Sequence, residues 1–288
     1  MILIGGSTGQ LGSAVVAQLA KQGAKGNFAV LARNAEKAKE YFNQGIEVRL
    51  ADYDYPDSLS AALDGIERFL FISTMSQNRG PQQKAVVDAA HAAGVKHIVY
   101  TGHAIKNIDT SAVRELMKSH FETEDHIRAS GMEWTFLRNT MYAEAIPEIV
   151  GRDAVSSGIS VPGGTGRVPY ALRSEMGEAT ANLLLNDGHT GKTYNITGND
   201  NLSYDDLVQI LSRLTGRQLE YRNISEQQFS DALQAAGMPD FPIWLTLNTL
   251  RDIKSGQYDL RSRDLETLLG RPPASGEKML NEVFSIAH

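Results

Sequence analysis

Ile2-Leu3-Ile4-Gly5-Gly6-Ser7-Thr8-Gly9-Gln10-Leu11-Gly12 stands at the start of the chain, and its reading decides the fold. The apolar run at its head reads as a short strand. Gly6, Gly9 and Gly12 then form a Gly-x-x-Gly-x-x-Gly turn. Beyond the turn Leu11, Val15 and Leu19 recur at helical spacing with Ala14 beside them, while Gln10, Gln18 and Lys21 fall on the opposite face. That is the pattern of an amphipathic crossover helix. Glycines also cluster in plain surface turns, but a strand before and a helix after is the setting in which this motif holds a dinucleotide. The early glycines permit a tight turn and a close backbone approach to pyrophosphate, and Gly12 lets the helix pack on the strand. The unpaired amides and partial positive charge of the helix N-terminus favour phosphate oxygens.

Outward from this motif the first half of the chain repeats the same alternation. Apolar, β-rich runs at Phe28 to Leu31, Ile46 to Leu50, Phe69 to Ile72, His97 to Thr101 and Trp134 to Leu137 are separated by longer segments of helical period. This predicts an α/β fold, a Rossmann-type doubly wound parallel sheet, whose strands are covered on both faces. Gln82 to Ala93 reads as a helix rich in small residues, ended by Gly94. After Asn139 the rhythm changes: Gly158, Gly163, Gly164 and Gly166 crowd a loop, Arg173 to Asn186 reads as helix, and Thr193 to Thr197 reads as a strand returning to the sheet. The remainder is mainly helix, with Ser203 and Asp206 arranged as an N-terminal cap. The expected organisation is a dinucleotide-binding domain over 1–139, rejoined by 173–197, and a smaller, mainly helical C-terminal lobe over 140–172 and 198–288 that binds substrate.

The 288 residues include 42% hydrophobic and 22% charged side chains, the balance of an ordinary globular protein able to bury its own core. The net charge of −6, with no block of Lys or Arg, argues against nucleic acid as a partner. The chain has no cysteine, which removes thiol chemistry and disulfides and is compatible with a reducing cytoplasm. Neither a signal peptide nor a run of roughly 18 apolar residues is present, so no membrane role is expected. An oligomer is permitted.

The choice of nucleotide turns on the end of the second strand, where proteins that prefer NAD place an acidic residue against the ribose hydroxyls. Here Val30-Leu31-Ala32 leads to Arg33, whose guanidinium suits the 2′-phosphate of NADPH, making NADH the poorer fit. The competing reading is a solvated arginine at a helix start. Asp52, after the third strand, either accepts from the adenine amino group or serves its own turn, with Pro56 close behind.

Together with Tyr100-Thr101-Gly102, Phe121-Glu122-Thr123-Glu124 and Trp134-Thr135-Phe136-Leu137-Arg138-Asn139, these residues resemble the NmrA-like branch of the atypical short-chain dehydrogenase/reductases over nearly the whole chain. The likeness is greatest to bacterial members that reduce quinones and triphenylmethane dyes. The resemblance implies cofactor contacts from Gly6, Ser7, Thr8, Gly9, Gln10 and Leu11, from Arg33, from the loop holding Ser73 and Thr74, and from Asn139 and Tyr142.

Typical short-chain dehydrogenases pair a tyrosine with a lysine four residues later, and no tyrosine of this chain has that partner. His120 is the remaining candidate for a catalytic acid or a cofactor contact, although a histidine near a helix start is more commonly a packing group. His103, just beyond the fifth strand, either lines the site or caps a loop. His120 and His126 are spaced wrongly for a metal pair on one helical face, and no metal site is expected. Without a proton relay, an acceptor that spreads or neutralises the arriving charge is favoured, such as a quinone or a cationic aromatic dye. Tyr142, Phe136, Tyr170 and Trp244 are the candidate stacking surfaces. The alternative function is a non-catalytic NADP-binding redox sensor that acts through a protein partner.

Overall fold

A computed structural model describes residues 1–76 and 78–286. The first half runs β1 (Ile2–Ile4), α1 (Gln10–Lys21), β2 (Phe28–Ala32), α2 (Ala35–Asn43), β3 (Glu47–Leu50), α3 (Leu59–Leu63), β4 (Arg68–Ile72), α4 (Arg79–Ala92), β5 (His97–His103), α5 (Arg114–Ala129) and β6 (Glu133–Asn139). The second half continues with α6 (Ile146–Val150), α7 (Ala154–Ser157), β7 (Ile159–Ser160), β8 (Arg167–Val168), α8 (Arg173–Leu185), β9 (Lys192–Ile196) and β10 (Leu202–Ser203). It closes with α9 (Tyr204–Thr215), β11 (Tyr221–Arg222), α10 (Glu226–Ala235), α11 (Asp240–Lys254), α12 (Asp264–Leu269) and α13 (Gly276–Phe284). Two compact units result: Met1–His103 with Lys118–Asn139 and Arg173–Tyr194, and Ala104–Met117 with Thr140–Leu172 and Asn195–His288.

The first unit is built on a seven-stranded sheet in the order β3-β2-β1-β4-β5-β6-β9. The strand β1 is central and pairs in parallel with both β2 and β4, so that Ile4 stands opposite Val30 on one side and Leu70 on the other. The chain therefore winds one way from β1 to β3 and the other way from β4 to β6. The order reverses between β1 and β4, the switch point beyond which such sheets bind ligands. The expected doubly wound sheet is present, with two differences in detail. The third strand is an edge strand with Leu50 56% exposed, because nothing pairs beyond it. The fifth and sixth strands each run two residues further than their apolar stretches, ending with His103 opposite Asn139.

The core of this unit holds Leu3, Phe69, Phe71, Tyr100 and Phe136. Phe69 and Phe71 stack at 5.7 Å, and Tyr53 meets Phe71 edge-on at 5.3 Å. Two close approaches depend on missing side chains. Gly6 has φ +65°, and a Cβ on Gly12 would lie 2.2 Å from the Gly6 carbonyl oxygen. The turn and the first helix can touch only because both residues lack Cβ. In the same way a Cβ on Gly177 of α8 would lie 2.6 Å from Ala14 Cβ on α1. These two helices pack backbone to backbone.

The second unit has its own core, including Ile159, Leu207, Leu211, Leu250, Ile253 and Leu280. Its strands are short pairs, β8 with β10 antiparallel and β7 with β11 parallel. The capping box between Ser203 and Asp206 opens α9, and Gly216 closes it in the left-handed conformation. Among the described residues no helix is long and apolar enough to cross a membrane.

The Gly177–Ala14 contact leaves no room for a branched side chain. Gly177→Val is expected to lower the unfolding free energy by about 1–3 kcal/mol through overpacking. Chemical denaturation checks this, and an unchanged midpoint would mean that α1 and α8 can separate at no cost.

Candidate functional site

At the carboxyl end of β1 the turn closes with the Gly9 amide donating to Gly6 O at 3.0 Å, and the first intrahelical bond of α1 runs from the Ser13 amide to Gly9 O at 2.8 Å. Gly9 is the N-cap and supplies no side-chain cap, and no acidic residue occupies the first turn. The amides of Gln10, Leu11 and Gly12 thus have no acceptor within their helix. Thr8, Gly9 and Gln10 are exposed. A pyrophosphate fits this terminus: it offers free amides, a positive dipole end and no Cβ where the backbone must come close. Ser7 contributes differently. It is fully buried, and its hydroxyl donates to Leu31 O at 2.7 Å, while the Tyr41 hydroxyl donates to Ser7 O at 2.7 Å. These bonds tie the turn to β2 and α2, so the Ser7 side chain is occupied in holding the turn.

At the end of β2, Arg33 is exposed and makes no hydrogen bond or ion pair with any described residue. The Asn34 side chain after it accepts from the Glu36 amide at 2.7 Å and starts α2, which fixes the direction of the chain at Arg33. Asp52 accepts from the Asp54 amide at 3.1 Å, and its own amide donates to Ser58 Oγ at 3.0 Å. One oxygen of its carboxylate is therefore engaged within its own turn.

Beyond the switch point, the Ser73 amide donates to Thr101 Oγ1 at 3.2 Å, and Thr74 Oγ1 donates to Gln82 Oε1 at 2.7 Å. Gln82 also donates to Asp54 Oδ1, so one glutamine ties together the loops that follow β3 and β4. Next to them is a buried polar cluster. The Tyr100 hydroxyl and His120 Nδ1 share a hydrogen bond of 2.9 Å, Gln83 Oε1 lies 3.1 Å from that hydroxyl and 2.6 Å from Thr123 Oγ1, and Arg79 Nε donates to Ser119 Oγ at 2.9 Å. The His103 ring stacks on His120 at 6.1 Å. Burial, and then the Arg79 charge, push His103 down to about 4 and hold His120 well below its ordinary value. Burial raises the Tyr100 phenol. Near neutral pH both imidazoles are uncharged and the phenol keeps its proton.

His103 is the last residue of β5 rather than a loop residue, and His120 lies in the middle of α5 rather than near its start. The reason is that α5 begins at Arg114, well before the apolar stripe is apparent. His103, His120 and Asn139 come together at one end of the sheet through the β5–β6 register and the ring contact. Phe136 does not join them: it is fully buried, stacked on Trp134 at 4.3 Å, with the Arg128 guanidinium 4.7 Å from its centroid, so it is a core residue with no surface for an acceptor. In the second unit Tyr142 bridges to Ala171, Tyr170 is buried, and Trp244 is 40% exposed and stacks on Phe241 at 5.9 Å.

Arg79, Gln82, Gln83, Tyr100 and Thr123 were not expected at a site. The signal was available as a helical stripe of polar residues: Ser119, His120, Thr123 and Glu124 are buried on α5, and Arg79, Gln82 and Gln83 are buried on α4. Glu124, 1% exposed, receives two hydrogen bonds from Arg138 at 2.8 and 2.6 Å and fastens α5 to β6.

Buried neutral histidines make stability depend on pH. Away from the cluster, His97 is pushed down to about 4 by burial and then by Arg68, and His120 is lowered as described. In the unfolded chain each titrates near about 6.5. Between the folded and unfolded values the unfolded chain binds more protons, so stability rises with pH through that window and is lost on acidification. Unfolding free energy at about pH 5 is expected to fall below that at about pH 7.5, by up to about 2 kcal/mol from His97, with His120 acting in the same direction. Equal denaturation midpoints at the two pH values would contradict neutral burial.

Residues 1–262 match the NmrA-like family. The chain is 35% identical over 289 residues to Quinone oxidoreductase 2 of Escherichia coli (strain K12), with 99% of each chain covered. Its fold is similar to that of an NADPH-dependent quinone oxidoreductase from Escherichia coli complexed with NADPH, with TM-score 0.89 and 33% identity over 99% of this chain and 100% of that one. It is equally similar to Citrobacter sp. triphenylmethane reductase complexed with NADP(H), with TM-score 0.89 and 33% identity over 98% of this chain and 99% of that one. The chain belongs to the NmrA-like family.

Proposed function

We propose that this protein is an NADPH-dependent reductase of quinones and related conjugated or cationic aromatic acceptors. The observation that carries the reading is the uncapped, glycine-lined N-terminus of α1 standing one strand away from Arg33, which has no partner among the described residues. The first offers amides to a pyrophosphate and the second a fork of donors to a 2′-phosphate. The relatives named above bind NADPH and reduce quinones or triphenylmethane dyes, which supports the same assignment here.

In this reading the amides of the Gly6–Leu11 turn hold the pyrophosphate and Arg33 holds the adenosine end over β2. By the same reading Ser73, Thr74 and Asn139, beyond β4, β5 and β6, hold the nicotinamide end, in keeping with ligands binding past the carboxyl ends of such strands. Bound NADPH supplies the hydride. The chain's part is orientation: it holds donor and acceptor face to face and excludes water between them. Segments 140–172 and 198–288 form the substrate-binding lobe. Among the described residues the two neutral imidazoles and the protonated phenol offer no strong acid at neutral pH. This favours acceptors whose reduced form is stable without protein-delivered protons.

The test is direct. Purified protein, NADPH and a panel of quinones and cationic dyes are mixed, and nicotinamide absorbance is followed. Rapid acceptor-dependent oxidation is expected, and none with any acceptor would reject the reading. Slow turnover, with a protein partner captured only when nucleotide is bound, would mark a redox sensor instead. Arg33→Ala is expected to weaken NADPH by about 1.5–3 kcal/mol, roughly 10- to 150-fold, and NADH little. Calorimetry with both nucleotides checks this, and equal weakening would show that Arg33 does not read the 2′-phosphate.

A further inference from the structure

The protons of the buried cluster can be counted, and the count assigns a role to His120. With Gln83 Oε1 facing Tyr100 and Thr123, Oε1 is offered two hydroxyl protons while Gln83 Nε2 is sealed without any acceptor. The Thr123 hydroxyl, also 2.7 Å from Ser119 O, would have to serve two acceptors with one proton. The two ends of an amide have the same shape, and the hydrogen-bond network decides which way it points. Turned over, the Gln83 amide donates one N–H to Thr123 Oγ1 and the other to the Tyr100 oxygen. Thr123 then gives its proton to Ser119 O, and Tyr100 gives its own to His120 Nδ1. One carbonyl oxygen is left sealed in place of two amide protons, a cheaper defect.

With Nδ1 accepting, the neutral ring carries its proton on Nε2. That nitrogen makes no hydrogen bond with any described residue, and the ring is 6% exposed at the end of β5 beside His103. This is the end of the sheet, and the half of it beyond the switch point, to which the proposed function assigns the nicotinamide. We propose that His120 is a fixed hydrogen-bond donor, through Nε2–H, to the carbonyl oxygen of a quinone acceptor. The inference rests on the proposed reductase reading for the identity of the ligand.

A quinone that accepts hydride, two electrons and one proton, carries a negative charge on an oxygen until a second proton arrives from solvent. A donor already aimed at that oxygen stabilises the charge as it forms. The ring keeps its Nε2 proton throughout, because a neutral imidazole is far too weak an acid to release it. A triphenylmethane cation is neutralised by hydride at carbon and has no carbonyl oxygen to be stabilised.

Two measurements test this. In uniformly 15N-labelled protein near neutral pH, the His120 ring correlations are expected to show Nε2 protonated and Nδ1 bare; the opposite tautomer would overturn the assignment whatever the protein's activity. In kinetics, His120→Ala is expected to lower kcat for a quinone by at least about tenfold while sparing a cationic triphenylmethane dye. NADPH affinity by calorimetry should be unchanged, and His120→Gln, whose amide nitrogen stands near the place of Nε2, should recover part of the quinone rate. An equal loss for quinone and dye would overturn the donor role. If the wild-type protein reduces neither acceptor, it is the reductase reading that fails, and the tautomer result still decides the network.

Discussion

The contact between the Gly6 carbonyl and the first turn of α1 constrains everything else in the first unit. Because no Cβ stands between them, the chain leaves β1, reverses and enters α1 within a few residues. The helix axis then points its unpaired amides past the carboxyl ends of the strands. Ser7 and Tyr41 lock this turn to β2 and α2, which brings Arg33 to a fixed place one strand away. A larger residue at Gly12 would push the helix off the strand and carry the amides with it. The geometry of this helix N-terminus is thus a property of backbone proximity.

The same sheet edge divides into two chemically different halves. On the β2 side the groups are exposed and charged, suited to phosphates that arrive with their own hydration. On the β4–β5 side the uncharged imidazoles and phenol sit beside the buried Arg79 guanidinium, within a network of side-chain hydrogen bonds. Burial beside Arg79 keeps the imidazoles uncharged, since a second cation in that low-dielectric space would be costly.

Much of this was legible in the sequence. The glycine turn, the alternation of elements, Arg33, the capping box at Ser203 and the helical stop at Gly94 are local signals, written in a few adjacent residues. What was less legible depends on contacts between distant segments. Phe136 looked like a stacking surface because an aromatic residue near a strand end has the same appearance in either role. Only the packing of Trp134 and Arg128 against it shows that it is core. The edge position of β3 follows from strand order, which periodicity does not report. The polar cluster was obscured because Gln83, Ser119 and Thr123 resemble solvent-facing residues until their hydrogen bonds to one another are seen. Asp52 shows the converse, since its ordinary turn role was already visible in the neighbouring proline.

The pairing of α1 with α8 has a consequence for how the molecule is made. The helix that begins at Gln10 is covered by one that begins at Arg173, and the glycine at their crossing leaves no substitute for that cover. While the chain is being synthesised, the apolar flank of α1 stays open until most of the polypeptide has left the ribosome. Maturation of this unit is governed by a late, long-range closure, the kind of step that is slow and exposes nascent chains to aggregation.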